Sequence, residues 1–493
     1  MAKDVDLTEE YLGYIAELGG DSQGRADARD YMDHSTATYA GKVVNTSYIP
    51  KLFDLRTREV MRQAAETMHG ILCKVVEHYR ADAGYRALFD MDERLEELMM
   101  LPSGYAQPIP FARYDAFVNE DTGEVRFCEF NTDGSSGMNE NREATNSLSG
   151  CEPLRRFSER HMVRDCSRRL FEGWVEEFLR IYRGSDYAAR LRRVAEQAAA
   201  GDARALSQPA DKAAAGVDAA ERPHVAVVDY LENSVVTELA IYARLFEDAG
   251  CAFSVYDIRD LRFDGQRLSC PKAHLGHEGL PIDAIWRRSV ASDVLAHWDE
   301  SRAYLDAVRA GAVCLIGPFA TNVAHDKQIF VLLRHPATQE LLTPAERDFV
   351  ERTVPFTAVL SDDLPDFGDI VANPARWIVK PTDMYGSLDV FAGPDYARDP
   401  AAWEAVVRSH VRERVEKPYL VQEFVTPWKS PAVALRGEPG DATAPVELYN
   451  NLSGLYVIDG RFSGVFSRLG PEPIILGSHG GLTAASLWVD DVQ

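Results

Sequence analysis

Residues 113 to 134, RYDAFVNEDTGEVRFCEFNTDG, constrain the fold more than any other stretch of the chain. Two runs of alternating apolar residues flank Asp121-Thr122-Gly123. A three-residue loop ending in a glycine that accepts positive φ is a common join between antiparallel strands. Counting outward from that loop puts Asp115 opposite Glu129 and Arg113 opposite Asn131. Side chains alternate faces along a strand, so these four share one face, with Phe117 and Phe127 among them. Directly opposed acids hold their Cβ atoms about 4.5–5.5 Å apart and repel. A divalent cation relieves that repulsion, since Asp, Glu and an Asn carbonyl supply the oxygens that Mg²⁺ takes, often beside substrate phosphates. The same spacing also describes a solvated hairpin with a charged wet face. Aromatics mixed with the charges favour the wall of a cleft, and a slip of one residue in register would separate the acids.

The rest of the composition narrows the class. A chain of 493 residues holds two or three domains with substantial cores. With 53 basic and 77 acidic residues its net charge is −24, which argues against coating a nucleic acid and mildly favours cationic small-molecule partners. Cysteines at 73, 128, 151, 166, 251, 270 and 314 are scattered, odd in number and contain no CxxC pair. They read as reduced thiols of a cytoplasmic protein, without a disulfide framework or zinc site. The acidic start MAKDVDLTEEYLGYIAELGG lacks the apolar core of a signal peptide, and no run of apolar residues suits a membrane span.

Along the chain, residues 8–18 and 56–83 carry helical periodicity, the second with Val60, Met61, Ala64, Met68, Ile71, Leu72, Val75 and Tyr79 in one stripe. A helix from Asp92 to Met100 leads into the hairpin. GSSGMNENREATNSL reads as a polar loop, and 151–182 as helix. The Ala-, Gly- and Asp-rich stretch 184–223 reads as a linker or insertion, chiefly at 199–222. Then 224–230, 234–249 and 252–256 alternate strand, helix and strand, the pattern of a parallel βαβ unit, continued by strands in 282–289 and 311–318. The expected class is α/β (α+β). Its expected divisions are a helical N-terminal region (residues 1–100), the hairpin and following helices (101–183), the linker (184–223), the βαβ unit (224–320) and a last region (321–493).

That last region carries a second set of chemical residues. Lys327 stands before an apolar helix, and Lys380 ends a strand (377–380) followed by a loop holding Gly386. YLVQEFV (419–425) is a strand with Gln422 and Glu423 near its end. Asp459-Gly460 is a strong type I′ turn signal inside an Asn450–Ser467 hairpin, which leads to Arg468. A strand-end lysine before a mobile loop suits a nucleotide clamp, the ammonium meeting phosphate as a point charge. Taken singly, each lysine is more often a surface lysine.

The order of these pieces resembles the synthetase domain of glutathionylspermidine synthase and trypanothione synthetase, a circularly permuted ATP-grasp fold with a pre-ATP-grasp βαβ unit. The resemblance runs from about residue 90 to 470 and is strongest at Arg113, Asp115, Glu129, Asn131 and Asp133, which match R-x-D … E-[YF]-N-x-D. It implies that Asp115, Glu129 and Asn131 hold Mg²⁺ under the ATP phosphates and that Arg113 lies near an acyl phosphate. Lys327, Lys380, Gly386, Gln422 and Glu423 would bind ATP, Arg468 would serve catalysis, and Asp133, Ser135 and Ser136 would meet substrate. Where that family has GREG, this chain has Met384-Tyr385-Gly386-Ser387. The activity implied is ATP-dependent amide formation between a small carboxylate and an amine, such as a thiol peptide and a polyamine, with no membrane partner. A small-molecule kinase and a non-catalytic nucleotide binder share most of these residues.

Overall fold

Both hairpin strands form, as Phe111–Val118 and Val125–Asn131. The computed structural model, which describes residues 4–39, 41–200, 218–384, 386, 388–435, 445–477 and 480–491, builds its largest sheet on them. In that sheet the strands run Leu482–Ala484, Arg461–Gly470, Glu447–Ile458, Phe111–Val118 and Val125–Asn131, all antiparallel, with Lys429–Ala432 also paired to Glu447–Ile458. The late hairpin turns through Asp459 (φ 48°) and Gly460 (φ 75°), the two positive φ values of a type I′ turn. Gly454 of this hairpin lies opposite Asp115, so residues more than 300 positions apart in the chain (454 against 115) are neighbours across one ladder.

Helices pack on both faces of the sheet, each against apolar residues of its strands. Leu455, Val457 and Tyr114 pack with the stripe of helix Leu55–Ala81, in which Met61, Met68, Ile71, Leu72, Val75 and Tyr79 are buried. Asp54 caps that helix by accepting from the Thr57 N–H. Tyr456, Ile458 and Phe111 pack instead with Leu170, Trp174 and Phe178 of helix Ser167–Arg183.

The strand–helix–strand run is a parallel unit as its spacing predicts. His224–Asp229 pairs in parallel with Ala252–Asp257 on one side and Ala284–Arg287 on the other, and Cys314–Ile316 closes that edge. All six residues of His224–Asp229 are buried, which is why the strand reads as a continuous apolar run. A separate antiparallel sheet holds Thr357–Val359, Tyr419–Glu423, Trp377–Pro381 and Phe391–Ala392 around its own small core, which includes Trp377, Val379, Trp403, Val407 and Val421. Its central strands face each other through Lys380 opposite Leu420 and Ile378 opposite Gln422.

Three expectations change. The stretch read as a polar loop contains helix Met138–Leu148, which buries Asn139, Glu140, Asn141, Glu143 and Ser147. Polar residues form its inward face, so no apolar period announced it. The helix expected over 151–182 is two, Glu152–Ser158 and Ser167–Arg183, parted by strand His161–Arg164, which pairs with Ser486–Asp491. Within 184–223, Asp186–Ala199 is helical, and residues 201–217 of the expected insertion lie outside the described residues.

Candidate functional site

The hairpin pairs Arg113 with Asn131 and Asp115 with Glu129, the expected register. It then slips, so that Ala116 meets Phe127 and Cys128 becomes the extra residue of a β-bulge. Bulges re-aim side chains, and this one turns Phe127 away from the acids. Phe127 packs with Tyr114, Phe130 and Phe349 on the opposite face, which corrects its expected place beside the charges. The carbonyl of Cys128, a residue with no cross-strand partner in the register, accepts a bond from Lys380 Nζ at 3.1 Å.

Cations, rather than distance, separate the two acids. Asp115 is buried and accepts from Arg113 Nε at 2.9 Å, from Arg468 Nη2 and from Asn131 Nδ2 at 3.2 Å. Glu129 faces Lys327 Nζ at 3.0 Å. Burial pushes the Glu129 carboxyl upward, but Lys327, with His325 and Lys380 nearby, outweighs it and holds the group below the ordinary carboxylate range. Lys380 donates to Gln422 Oε1 at 2.8 Å and lies 4.9 Å above the Phe330 ring, which stacks on Phe130. Burial, then the charge of Lys327, lowers the Lys380 ammonium to about 8. Gln422 Nε2 donates onward to Thr357 at 2.7 Å, which fixes its oxygen toward the lysine. Two carboxylates therefore stand among four cationic side chains, Arg113, Arg468, Lys327 and Lys380.

The oxygens of Asp115, Glu129 and Asn131 fit a hard divalent cation in kind and lie on one face. In this state Asn131 meets Asp115 through its amide nitrogen, not through the carbonyl oxygen that a cation would need. Glu129 is the more open of the two acids, its side chain 26% exposed against 1% for Asp115. Among the described residues no cluster of three His, Cys, Asp or Glu side chains is arranged to hold a metal.

The other expected site residues divide. Asp133 does not face this cluster: its fully buried carboxylate is gripped by both Nη atoms of Arg287, one at 2.9 Å, and accepts from Thr321 Oγ1 at 2.6 Å. It ties the end of the hairpin to the parallel sheet. Ser135 is buried in the loop that follows, and the Ser136 carbonyl accepts from Arg113 and, at 2.8 Å, from Tyr456. Gly386 is exposed, at φ 66°, in the loop after Lys380. Glu423 points away from its neighbour Gln422, as strand alternation requires, and pairs with Arg126 at 3.0 Å. His325 lies near Glu129, Lys327 and Asp133, and burial holds it below the usual histidine range.

Sequence reasoning passed over four contributors. Arg287 and Thr321 hold Asp133, Phe330 floors Lys380, and Thr357 orients Gln422. The signal that could have found Arg287 is the arginine pair closing the apolar run IDAIWRRS, charge at the end of a buried strand.

No protein-family model matches the sequence, and no curated protein matches it. Among solved structures, a glutathione synthetase-like effector from Globodera pallida, in its apo form, matches over 94% of this chain and 96% of its own, with a TM-score of 0.53 and 11% identity. The likeness shows a shared mixed α/β fold along nearly the whole of both chains.

Proposed function

We propose that this chain is an ATP-dependent carboxylate–amine ligase with a circularly permuted ATP-grasp architecture, similar to glutathionylspermidine synthase. The observation that carries the reading is the charge balance at the hairpin: four cationic side chains around two carboxylates, in a chain whose net charge is −24. Such a local excess suits a polyanion such as a triphosphate. The likeness to a glutathione synthetase-like structure supports a ligase of this broad kind.

On this reading Lys380 and Lys327 bind phosphate oxygens, and Gln422, held between Lys380 and Thr357, borders the nucleotide. Glu129, Asp115 and Asn131 would hold Mg²⁺, which when bound neutralises phosphate charge. Arg113 and Arg468, anchored on Asp115, are set to stabilise the transferring phosphoryl group and the oxyanion formed as an amine attacks. The substrate carboxylate attacks the γ-phosphoryl and ADP leaves. The amine nitrogen then bonds to the acyl carbon, phosphate departs and the nitrogen loses a proton. No protein nucleophile is needed. The loop after Lys380 with Gly386, and the segment of Ser135 and Ser136, would border the bound substrates, whereas Asp133 supports that segment from behind. Residues 224–320 would form the pre-ATP-grasp unit, and the units on either side of it would share the nucleotide site.

The test is ADP release by the purified protein over a matrix of small acids, thiol peptides, amino acids and polyamines. Release that requires both an acid and an amine is the expected result. Phosphate retained on a hydroxyl acceptor would make the protein a kinase, and ATP binding without turnover would make it a non-catalytic binder.

A further inference from the structure

The Lys327 ammonium already holds an acceptor that belongs to the chain itself. Buried to 7% exposure, it faces Glu129 at 3.0 Å and donates to the Met384 carbonyl at 2.6 Å. These two contacts use two of its three N–H donors. The Lys327 backbone N–H donates to the Thr382 carbonyl at 2.9 Å. The segment Thr382–Met384 leaves the end of the strand that carries Lys380, Trp377–Pro381, so it runs from one lysine of the site back onto the other.

The far side of the segment is held less well. Its Thr382 N–H reaches the Pro418 carbonyl at 3.3 Å. Asp383 Oδ2 pairs with Lys417, whose side chain is 62% exposed, while Asp383 Oδ1 is buried and has no donor. Burial and, against a bond from the Gln328 N–H, the charge of Asp383 raise the buried Asp326 carboxyl to about 7. An orphaned carboxylate oxygen and a neighbouring acid both cost the segment stability where it lies. Its hold on Lys327 is therefore bonded and latched, but not deep.

We propose that Thr382–Met384 is a cap on Lys327. In the resting protein the Met384 carbonyl stands in the position of a ligand oxygen, and the Asp383–Lys417 bridge latches it there. A carbonyl is a neutral acceptor, whereas a phosphate oxygen is ionised and bonds an ammonium about twice as strongly, so a phosphate displaces the cap. Once Met384 leaves, Asp383 Oδ1 can be hydrated, which lowers the cost of opening. Only molecules with the cap released bind, so the apparent dissociation constant exceeds the intrinsic one by the inverse of the released fraction. That the displacing group is a nucleotide phosphate rests on the ligase reading above. The cap itself does not.

Amine acetylation of the full chain without nucleotide, by sulfo-N-hydroxysuccinimide acetate with peptides read by mass spectrometry, tests the cap directly. Lys417→Ala should raise the labelling rate at Lys327 about two- to five-fold, the range of a half-exposed ion pair. Lys417→Glu, which sets a like charge against Asp383, should raise it further. Lys51, buried to 5% exposure and paired with Glu120, is the internal control and should keep its wild-type rate. Calorimetric titration with Mg·ATP should give both variants a lower dissociation constant, by the same factors as the labelling. An unchanged Lys327 rate in both variants, or a rise matched at Lys51, would overturn the cap, as would Mg·ATP bound no more tightly than by wild type. Mg·ATP binding by wild type with neither reading moved by Lys417 sinks the cap and leaves the nucleotide site intact. Selective labelling of Lys327 in the variants, with no form of the protein binding Mg·ATP, does the reverse.

Discussion

At the scale of single residues, Asp115 is an anchor for charge. It joins Arg113, Arg468 and Asn131, so Asp115→Asn leaves two arginines without their carboxylate rather than relieving a repulsion from Glu129. Breaking a buried pair from one side costs about 3–5 kcal/mol, so the variant should be less stable by about 3 kcal/mol in denaturant unfolding as well as inactive. Wild-type stability in Asp115→Asn would count against the pairing. Gly454 guards the same pair, since a Cβ there would lie 2.8 Å from Arg113 Cδ and 3.0 Å from Asp115 Oδ1. Lys380 makes a pH-dependent contribution of opposite sign. Its ammonium is lowered to about 8, below the ordinary lysine value of about 10.4, so the unfolded chain binds more protons between those limits. Stability from this group is reduced below about pH 8 and recovers as pH rises toward about 10.4, by about 3 kcal/mol in all. Lys380→Met should lack that recovery, which the difference between wild-type and variant unfolding curves across this range would show. Equal pH profiles would mean that the lysine is not buried as an ammonium. Of these residues, Arg113, Asp115, Glu129 and Asn131 were legible by alternation, but the turn alone does not set their register: beside it Val118 meets Val125, one residue off the count from the loop, and the bulge at Cys128 restores the expected pairs. The anchoring role of Asp115 was not legible, because Arg468 reaches it from 353 positions away.

At the scale of elements, the small antiparallel sheet carrying Lys380 and Gln422 has a core of its own around Trp377, Trp403 and Val421. Damage to it should stay local. Gly393 follows the edge strand Phe391–Ala392, and a Cβ there would come 1.9 Å from the Pro374 carbonyl oxygen. Gly393→Ala must therefore move backbone, at a cost of about 1–3 kcal/mol. The expected outcome is faster amide exchange through residues 357–423 with protection unchanged in the Phe111–Val118 and Glu447–Ile458 strands. Equal loss in both sheets would contradict a separate unit. Strand and turn elements were legible where local rules sufficed, as in the parallel unit and the Asp459-Gly460 hairpin. Helix Met138–Leu148 was not, because buried Asn and Glu residues form its inner face and periodicity reads only apolar stripes. Nor was the bulge at Cys128, which depends on what packs against Phe127 rather than on any local signal.

At the scale of the whole molecule, the proposed nucleotide site is assembled from segments that the chain order keeps apart. The hairpin supplies Asp115 and Glu129, Lys327 follows the parallel unit, the small sheet supplies Lys380 and Gln422, and the last hairpin returns with Arg468. The segments were legible one by one, but their meeting was inferred from a resemblance, since no local rule brings residue 454 against residue 115. A ligand that spans these segments should bind them together, and the stability it adds follows its affinity. Mg·ATP at 100 times its Kd stabilises the folded state by about 2.7 kcal/mol. If Lys327→Met or Lys380→Met weakens binding about 10²-fold, the scale of a lost charge-assisted contact in a closed site, the same concentration adds only about 0.4 kcal/mol. Melting curves of wild type and both variants, with and without Mg·ATP, measure this difference. A full wild-type shift in Lys327→Met alone would place that lysine outside the nucleotide site, leaving it as the partner of Glu129. Full shifts in both would remove ATP from the cationic cluster, and the excess of positive charge around Asp115 and Glu129 would then have to serve another anion.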